Sequence, residues 1–197
     1  MCAIIGYKGN FDSNLVDKLC FESRIRGLHA YGFSYWQDNV INTYKTLNYK
    51  DFIGKLKEIA PKLFIAHFRY STSGDHSKAD NNQPLHDGNT SLVFNGTISM
   101  KSKQAMESEY DIKMPSENDG WILFSKINDD SWLKGSNLTY ASAWLHFDKL
   151  CARKNTKRPL WVHSDSEKVV ICSTESIFSR AGVKNAEPLK SDVTYRW

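Results

Sequence analysis

Apolar residues recur along this chain with two periods, and the switches between them lay out the elements. Cys2 to Lys8 is apolar, carries Ile4 and Ile5, is bounded by glycine, and predicts a short buried strand. Asp12-Ser13 supplies a cap for a helix with Leu15, Val16, Leu19 and Cys20 at helical spacing, ending before Gly27. Tyr31 to Trp36 and Val40 to Tyr44 read as strands joined by Gln37-Asp38-Asn39. Tyr49 to Ala60 sets Phe52, Ile53, Leu56 and Ile59 on one helical face, and Pro61 breaks it. Leu63 to Phe68 predicts a strand that carries His67 and Arg69 toward its end. The long polar stretch from Ser71 to Gly88 reads as a loop of the kind kept for function. Beyond it come a strand at Ser91 to Phe94 and a helix at Asn118 to Ile127. Further strands follow at Leu138 to Phe147, Leu150 to Ala152, Pro159 to His163 and Val169 to Cys172. Thr174 then caps a last short helix that ends at Gly182. Strands and helices come in runs rather than in strict alternation, which predicts an antiparallel α+β fold rather than a doubly wound sheet.

Composition narrows the class. A chain of 197 residues suits one domain, spanning 1–197, and can bury a core without staples. No apolar run approaches the roughly 20 residues of a membrane span, and no export signal opens the chain, so the expected setting is the cytoplasm, away from membranes. Cys2, Cys20, Cys151 and Cys172 lack paired metal-ligand spacing, so neither a metal nor another cofactor is expected. The last three fall on apolar faces and read as buried thiols. The net charge of +4 is mild. Its densest run, Arg153 to Arg158, reads as a solvated hairpin turn; a docking patch for an acidic partner is the other reading. No aromatic residue is interleaved there, and no nucleic-acid partner is expected.

Cys2 directly follows the initiator methionine. If Met1 is trimmed, the residue carries a thiol and a free α-amine, and an amine with a pKa near roughly 7.7–8.0 can take the thiol's proton near neutral pH. Further blocks follow in order: Arg26-Gly27-Leu28-His29-Ala30-Tyr31-Gly32, His67-Phe68-Arg69-Tyr70-Ser71-Thr72-Ser73-Gly74, Asn81-Asn82-Gln83-Pro84, Val93-Phe94-Asn95-Gly96 and Ser116-Glu117-Asn118-Asp119. With Met1-Cys2-Ala3-Ile4-Ile5-Gly6 at the start, the set resembles the class II glutamine amidotransferase domain of the N-terminal-nucleophile hydrolases, from Cys2 to about Gly182. The resemblance implies a four-layer αββα sandwich, two antiparallel sheets between helical layers. It implies glutamine as substrate and a γ-glutamyl thioester on Cys2.

The same resemblance assigns roles. Arg69 clamps the substrate's α-carboxylate with its planar guanidinium, helped by Thr72, and Asp119 holds the α-ammonium. The Asn95 side-chain amide and the Gly96 N–H form the oxyanion hole, although Asn-Gly taken alone reads as a hairpin turn. Arg26 organises the surroundings of Cys2, and Asn81 and Pro84 shape the pocket wall. His67 reads as structural rather than as the base. Ser116 to Asp119 also reads as a helix N-cap. Ala3 stands where the family has glycine, and His29 where it has aspartate. With no acceptor domain or phosphate-cradling loop in view, the chain reads as a free-standing glutaminase that lends ammonia to a separate synthetase or transferase. The alternatives are a stand-alone γ-glutamyl amide hydrolase and a catalytically silent binding module.

Overall fold

The computed structural model describes residues 1–71, 74–135 and 137–197. The first half runs β1 (Ala3–Gly9), α1 (Ser13–Arg24), β2 (Ala30–Gln37), β3 (Val40–Thr46), α2 (Tyr49–Ile59), β4 (Leu63–Arg69), β5 (Leu85–His86) and β6 (Thr90–Thr97). The second half runs α3 (Lys103–Tyr110), α4 (Gly120–Lys126), α5 (Asp130–Gly135), β7 (Thr139–His146), β8 (Lys149–Lys154), β9 (Trp161–Ser164), β10 (Lys168–Cys172), α6 (Glu175–Ala181), β11 (Glu187–Pro188) and β12 (Tyr195–Arg196).

Local chemistry sets the helix ends. Asp12 Oδ1 accepts the Leu15 N–H at 3.0 Å and starts α1, and Asn48 Oδ1 accepts the Lys50 N–H at 2.8 Å and starts α2. Ala60 closes α2 in the left-handed region at φ 48°, ahead of Pro61. Thr174 sits at the N-cap of α6, but its hydroxyl bonds Ser176 Oγ at 3.1 Å rather than a backbone N–H, so the expected cap holds in position and not in chemistry.

The strands form two antiparallel sheets, ordered β11-β9-β10-β1-β4-β2-β3 and β12-β8-β7-β6-β5. Period-two alternation decides which face each residue serves. Ala3, Ile5 and Tyr7 of β1 point to the layer of α1, α2 and α6, where they meet Leu19, Phe52 and Phe178. Ile4, one residue out of phase, points the other way and packs with Ile65, Val93, Ala141, Ala143 and Leu150 between the sheets. The outer face of the second sheet is covered by Met106, Ile122, Leu123 and Leu133 from α3, α4 and α5, packed on Phe94, Tyr140 and Trp144. The result is the four-layer αββα sandwich. A Cβ at Gly6 would lie 3.1 Å from Leu150 Cδ1 of the facing sheet and 3.1 Å from Ile171 Cδ1 of the adjoining strand β10.

Three expectations need correction. The basic run from Arg153 is no hairpin turn. It leaves β8 in one sheet and enters β9 in the other, and Arg153 is fully buried, bonded to Asp130 at 2.6 Å and to the Tyr140 hydroxyl at 3.1 Å. The polar stretch after Ser71 contains a 3-10 turn at Ala79–Asn81 and strand β5. The pattern did not stop at Gly182: β11 extends the first sheet and β12 the second, with Leu189 buried between them in sequence.

Phe52 anchors the helix-facing core, with its ring 5.3 Å from Phe68, 5.6 Å from Phe33 and 5.8 Å from Tyr31. Phe52→Ala is expected to cost about 3–5 kcal/mol of folding stability. Urea denaturation checks this, and a loss below about 1 kcal/mol would mean the site collapses around the gap.

Candidate active site

The site begins where β1 pairs with β4. Ala3 lies opposite Phe68, so the preceding residue, Cys2, reaches the backbone just past the end of β4. The Tyr70 N–H donates to Cys2 Sγ at 3.4 Å, and the thiol donates to Tyr70 O at 3.6 Å. The thiol is half-buried. Burial pushes its pKa up, while the Tyr70 backbone bond, the N-terminal charge, Arg69 and Arg26 pull it down. Arg26 donates from Nε to Cys2 O at 3.3 Å. Ile4 N–H, buried, donates to Ser173 Oγ at 2.9 Å and fixes the other side of the strand start. The remaining cysteines, Cys20, Cys151 and Cys172, are buried, and burial raises the pKa of each, that of Cys151 to about 11.

Arg69, the last residue of β4, is nearly buried and holds the loop. Its Nη1 donates to Asn81 O at 2.8 Å and to Asn82 Oδ1, and its Nη2 donates to Gly74 O at 3.0 Å. Burial lowers its pKa, opposed by the negative charges of Cys2, Asp75 and Asp119. Three of the predicted side chains therefore share one electrostatic neighbourhood around Arg69 and Cys2. Asn81 extends the network. Its carbonyl also accepts from Asn118 Nδ2 at 2.8 Å, its Oδ1 accepts the Glu117 N–H at 3.0 Å, and its Nδ2 donates to Asp75 O at 3.1 Å. Thr72, expected beside Arg69, lies outside the described residues.

Asp119 stands at the N-cap of α4 in position but makes no side-chain cap bond; Asn118 Oδ1 accepts the Gly120 N–H at 2.9 Å. Its carboxylate instead accepts the Ile98 N–H at 2.7 Å and the Ser99 N–H at 3.1 Å, just beyond β6. Burial raises its pKa, and these backbone donors restrain the rise.

Asn95-Gly96 is not a turn. The pair sits inside β6, opposite Ala141 and Tyr140 of β7. A Cβ on Gly96 would stand 1.9 Å from Thr139 O, so only glycine lets the two strands approach here. The Asn95 side-chain nitrogen is buried and has no hydrogen-bond partner. An unpaired buried amide donor is costly, about 1–3 kcal/mol.

Sequence reasoning passed over Gln83, although it lies inside a recognised block. Its Oε1 accepts the Phe94 N–H at 2.6 Å, which ties the loop to the residue before Asn95. Gly32 of β2 makes room for it: a Cβ there would meet Gln83 O at 2.3 Å. Pro84 follows through a cis peptide bond. Tyr70 was missed as well, because its contribution to the thiol is made by backbone atoms that no side-chain pattern encodes. His67 is buried in β4, opposite Ile4 and Gly32. Burial and the Arg69 charge depress its pKa to about 3, against the pull of a hydrogen bond to the Phe94 backbone. The ring is neutral at ordinary pH.

No family model matches the chain, and no curated protein matches it by sequence. Solved structures do match in fold. The glutamine phosphoribosylpyrophosphate amidotransferase of B. subtilis, solved with ADP and GMP, aligns over 96% of this chain with a TM-score of 0.72 at 18% identity. A structure described as the allosteric regulatory enzyme of purine biosynthesis aligns over 96% with a TM-score of 0.75, also at 18% identity. The chain spans 45% and 44% of the length of those two proteins. A glutamine aminotransferase class-II domain protein from Silicibacter pomeroyi aligns over 100% of this chain and 98% of its own, with a TM-score of 0.61 at 10% identity. The fold is thus that of class II, N-terminal-nucleophile glutamine amidotransferase domains.

The buried His67 yields a pH prediction. An unfolded histidine takes up a proton near pH 6.5, whereas this one resists until about 3. Acidification across that window favours the unfolded chain by up to roughly 1.4 kcal/mol per pH unit; above it the ring is neutral in both states and contributes nothing. Urea midpoints measured from pH 7 to pH 4 should fall more steeply for the wild type than for His67→Gln. Equal slopes would show that His67 is protonated in the folded protein.

Proposed function

We propose that this chain is a glutaminase of the class II amidotransferase type, with Cys2 as nucleophile once Met1 is removed. The observation that carries the reading is the buried, unpartnered amide nitrogen of Asn95, in a block that resembles the family's oxyanion element. A donor kept without an acceptor at a structural cost is what oxyanion stabilisation requires, because its partner exists only while the tetrahedral oxygen does.

The mechanism follows from the parts. With Met1 in place, the Cys2 nitrogen is a peptide nitrogen and cannot act as a base. Trimming turns it into an α-amine beside the thiol. The amine takes the thiol proton, and Sγ attacks the side-chain carbonyl carbon of glutamine. Negative charge collects on the carbonyl oxygen, where Asn95 Nδ2 and the Gly96 N–H stabilise it. The carbon–nitrogen bond then breaks, the amine's proton passes to the leaving nitrogen, and ammonia departs. Water, deprotonated by the same amine, hydrolyses the thioester to glutamate. The Tyr70 N–H on Sγ favours the thiolate throughout.

Asp119 and Arg69 hold the α-ammonium and α-carboxylate of the substrate, with Thr72 assisting Arg69. Arg69 already serves Gly74, Asn81 and Asn82, so taking the carboxylate exchanges loop acceptors for substrate oxygens and couples binding to the loop. The ammonia passes to an acceptor site on a separate synthetase or transferase, a role supported by the resemblance. Cleavage of another γ-glutamyl amide, or binding without turnover, are the outcomes that would displace this reading.

Cys2→Ala should abolish ammonia release from glutamine while leaving the circular dichroism spectrum unchanged. Asn95→Ala should lower kcat by about 10²–10³ with little change in KM, since its bond strengthens only as the oxyanion forms. Steady-state assays with and without companions purified from the native source decide the matter. A KM effect without a kcat effect at Asn95, or full activity in Cys2→Ala, would sink the assignment.

A further inference from the structure

His29 stands where the related pattern has aspartate, and the proposed mechanism gives it no part. Its surroundings do. Its ring stacks with those of Tyr70 and His76, both at 5.0 Å between centroids and 28° between planes. Its Nδ1 accepts the Ser71 N–H at 2.9 Å, and its backbone N–H donates to Arg69 O at 3.0 Å. Ser71 adjoins Tyr70, whose backbone N–H and carbonyl both meet Cys2 Sγ. Two direct bonds and one stack thus hold the stretch of backbone against which the thiol rests.

We propose that His29 is a positioning residue for Cys2: its neutral ring fixes the Tyr70–Ser71 backbone against the thiol, and protonating the ring releases it. The proposal rests on the reading of Cys2 as the nucleophile. The chemistry is directional. Nδ1 can accept the Ser71 N–H only while it carries no proton, so the proton of the neutral ring sits on Nε2. A cationic ring presents N–H at both nitrogens. The Ser71 bond then becomes donor against donor, and the stacked His76 gains a charged neighbour. The other ionisable groups on the surrounding elements are Arg26 on its own segment, Arg69 and Tyr70 at the end of β4, Asp75 beside His76, and Cys2 before β1. Asp75 is turned to the Ser77 N–H and hydroxyl, at 2.9 and 2.7 Å, so the carboxylate is occupied locally. Acid therefore weakens the hold on the thiol, and the Tyr70 N–H that favours its thiolate form is lost with it.

The test reads the thiol directly and needs no substrate. Alkylation of Cys2 by iodoacetamide, mapped by peptide mass, is followed against pH in the wild type, His29→Asn and His29→Phe. Asparagine keeps an acceptor near the position of Nδ1 and does not titrate; phenylalanine keeps a stacking ring and has no acceptor. The alkylation midpoint should rise by about one pH unit in His29→Phe, the equivalent of one hydrogen bond to a thiolate, and stay near the wild-type value in His29→Asn. In the wild type, the Ser71 amide resonance should also move with protonation of the His29 ring, a measurement that stands even if His29→Phe does not fold. An unmoved midpoint in a folded His29→Phe, equal shifts in both variants, or a Ser71 amide indifferent to the ring would overturn the proposal. Failure to release ammonia from glutamine would sink the glutaminase reading and leave this result intact.

Discussion

The antiparallel pairing of β1 with β4 is the constraint on which the rest of the molecule hangs. It places the second residue of the chain beside the backbone of Tyr70 and at the same time carries Arg69 to the mouth of the loop. β1 is a central strand, held by β4 on one side and β10 on the other, so its register is fixed twice. A slip of one residue would turn Ile4 toward the helices and Ile5 toward the second sheet, reversing both hydrophobic faces. The apolar core therefore sets the position of the thiol to within a fraction of a strand repeat, with no contribution from the thiol itself.

Around that fixed point the site is built from polar groups that satisfy one another. The segment from Gly74 to Asn82 has little regular structure, and side chains do what a ladder would do elsewhere. Arg69 and Asn81 supply donors to loop carbonyls, Asn82 Nδ2 donates to His76 O at 2.8 Å, and Gln83 reaches across to β6. Each such bond is worth only about 0.5–1.5 kcal/mol net, so the loop is held by their number and not by any one. Such a network can exchange partners at small cost, which a loop-packed ligand site needs. Against this background the Asn95 amide nitrogen, like the nearby His67 Nε2, is buried without a partner.

Much of this was legible in the sequence, for reasons that separate cleanly. Strands and helices with a strong period, such as β1, α1, α2 and β4, follow from burial of one face, and their limits agree with the structure to within a residue or two. The short elements did not show. α3 buries only Met106 and α5 only Leu133, too little apolar content for a period. β11 and β12 are two-residue strands made by tertiary pairing alone. Cys2, Asn95 and Asp119 were legible as candidates because their order along the chain is distinctive. Their local settings were not: Asn95-Gly96 carries the composition of a turn yet lies in a strand, and Asp119 has the composition of a cap yet serves another segment. In both, the decisive partner is distant in sequence, Thr139 for the first and Ile98 for the second.

The central place of β1 also has a consequence for biosynthesis. The strand made first needs a neighbour, β10, that ends at Cys172. At roughly 5–20 residues per second, on the order of ten seconds or more separates the emergence of Cys2 from the ribosome and that of its last strand partner. Until then β1 has β4 as its strand partner and lacks β10. Afterwards Met1 lies beside Arg26 and Arg158, with Arg158 Nη1 3.0 Å from its sulfur. Met1 stays exposed in the fold, while the strand that starts two residues later is fixed between two neighbours.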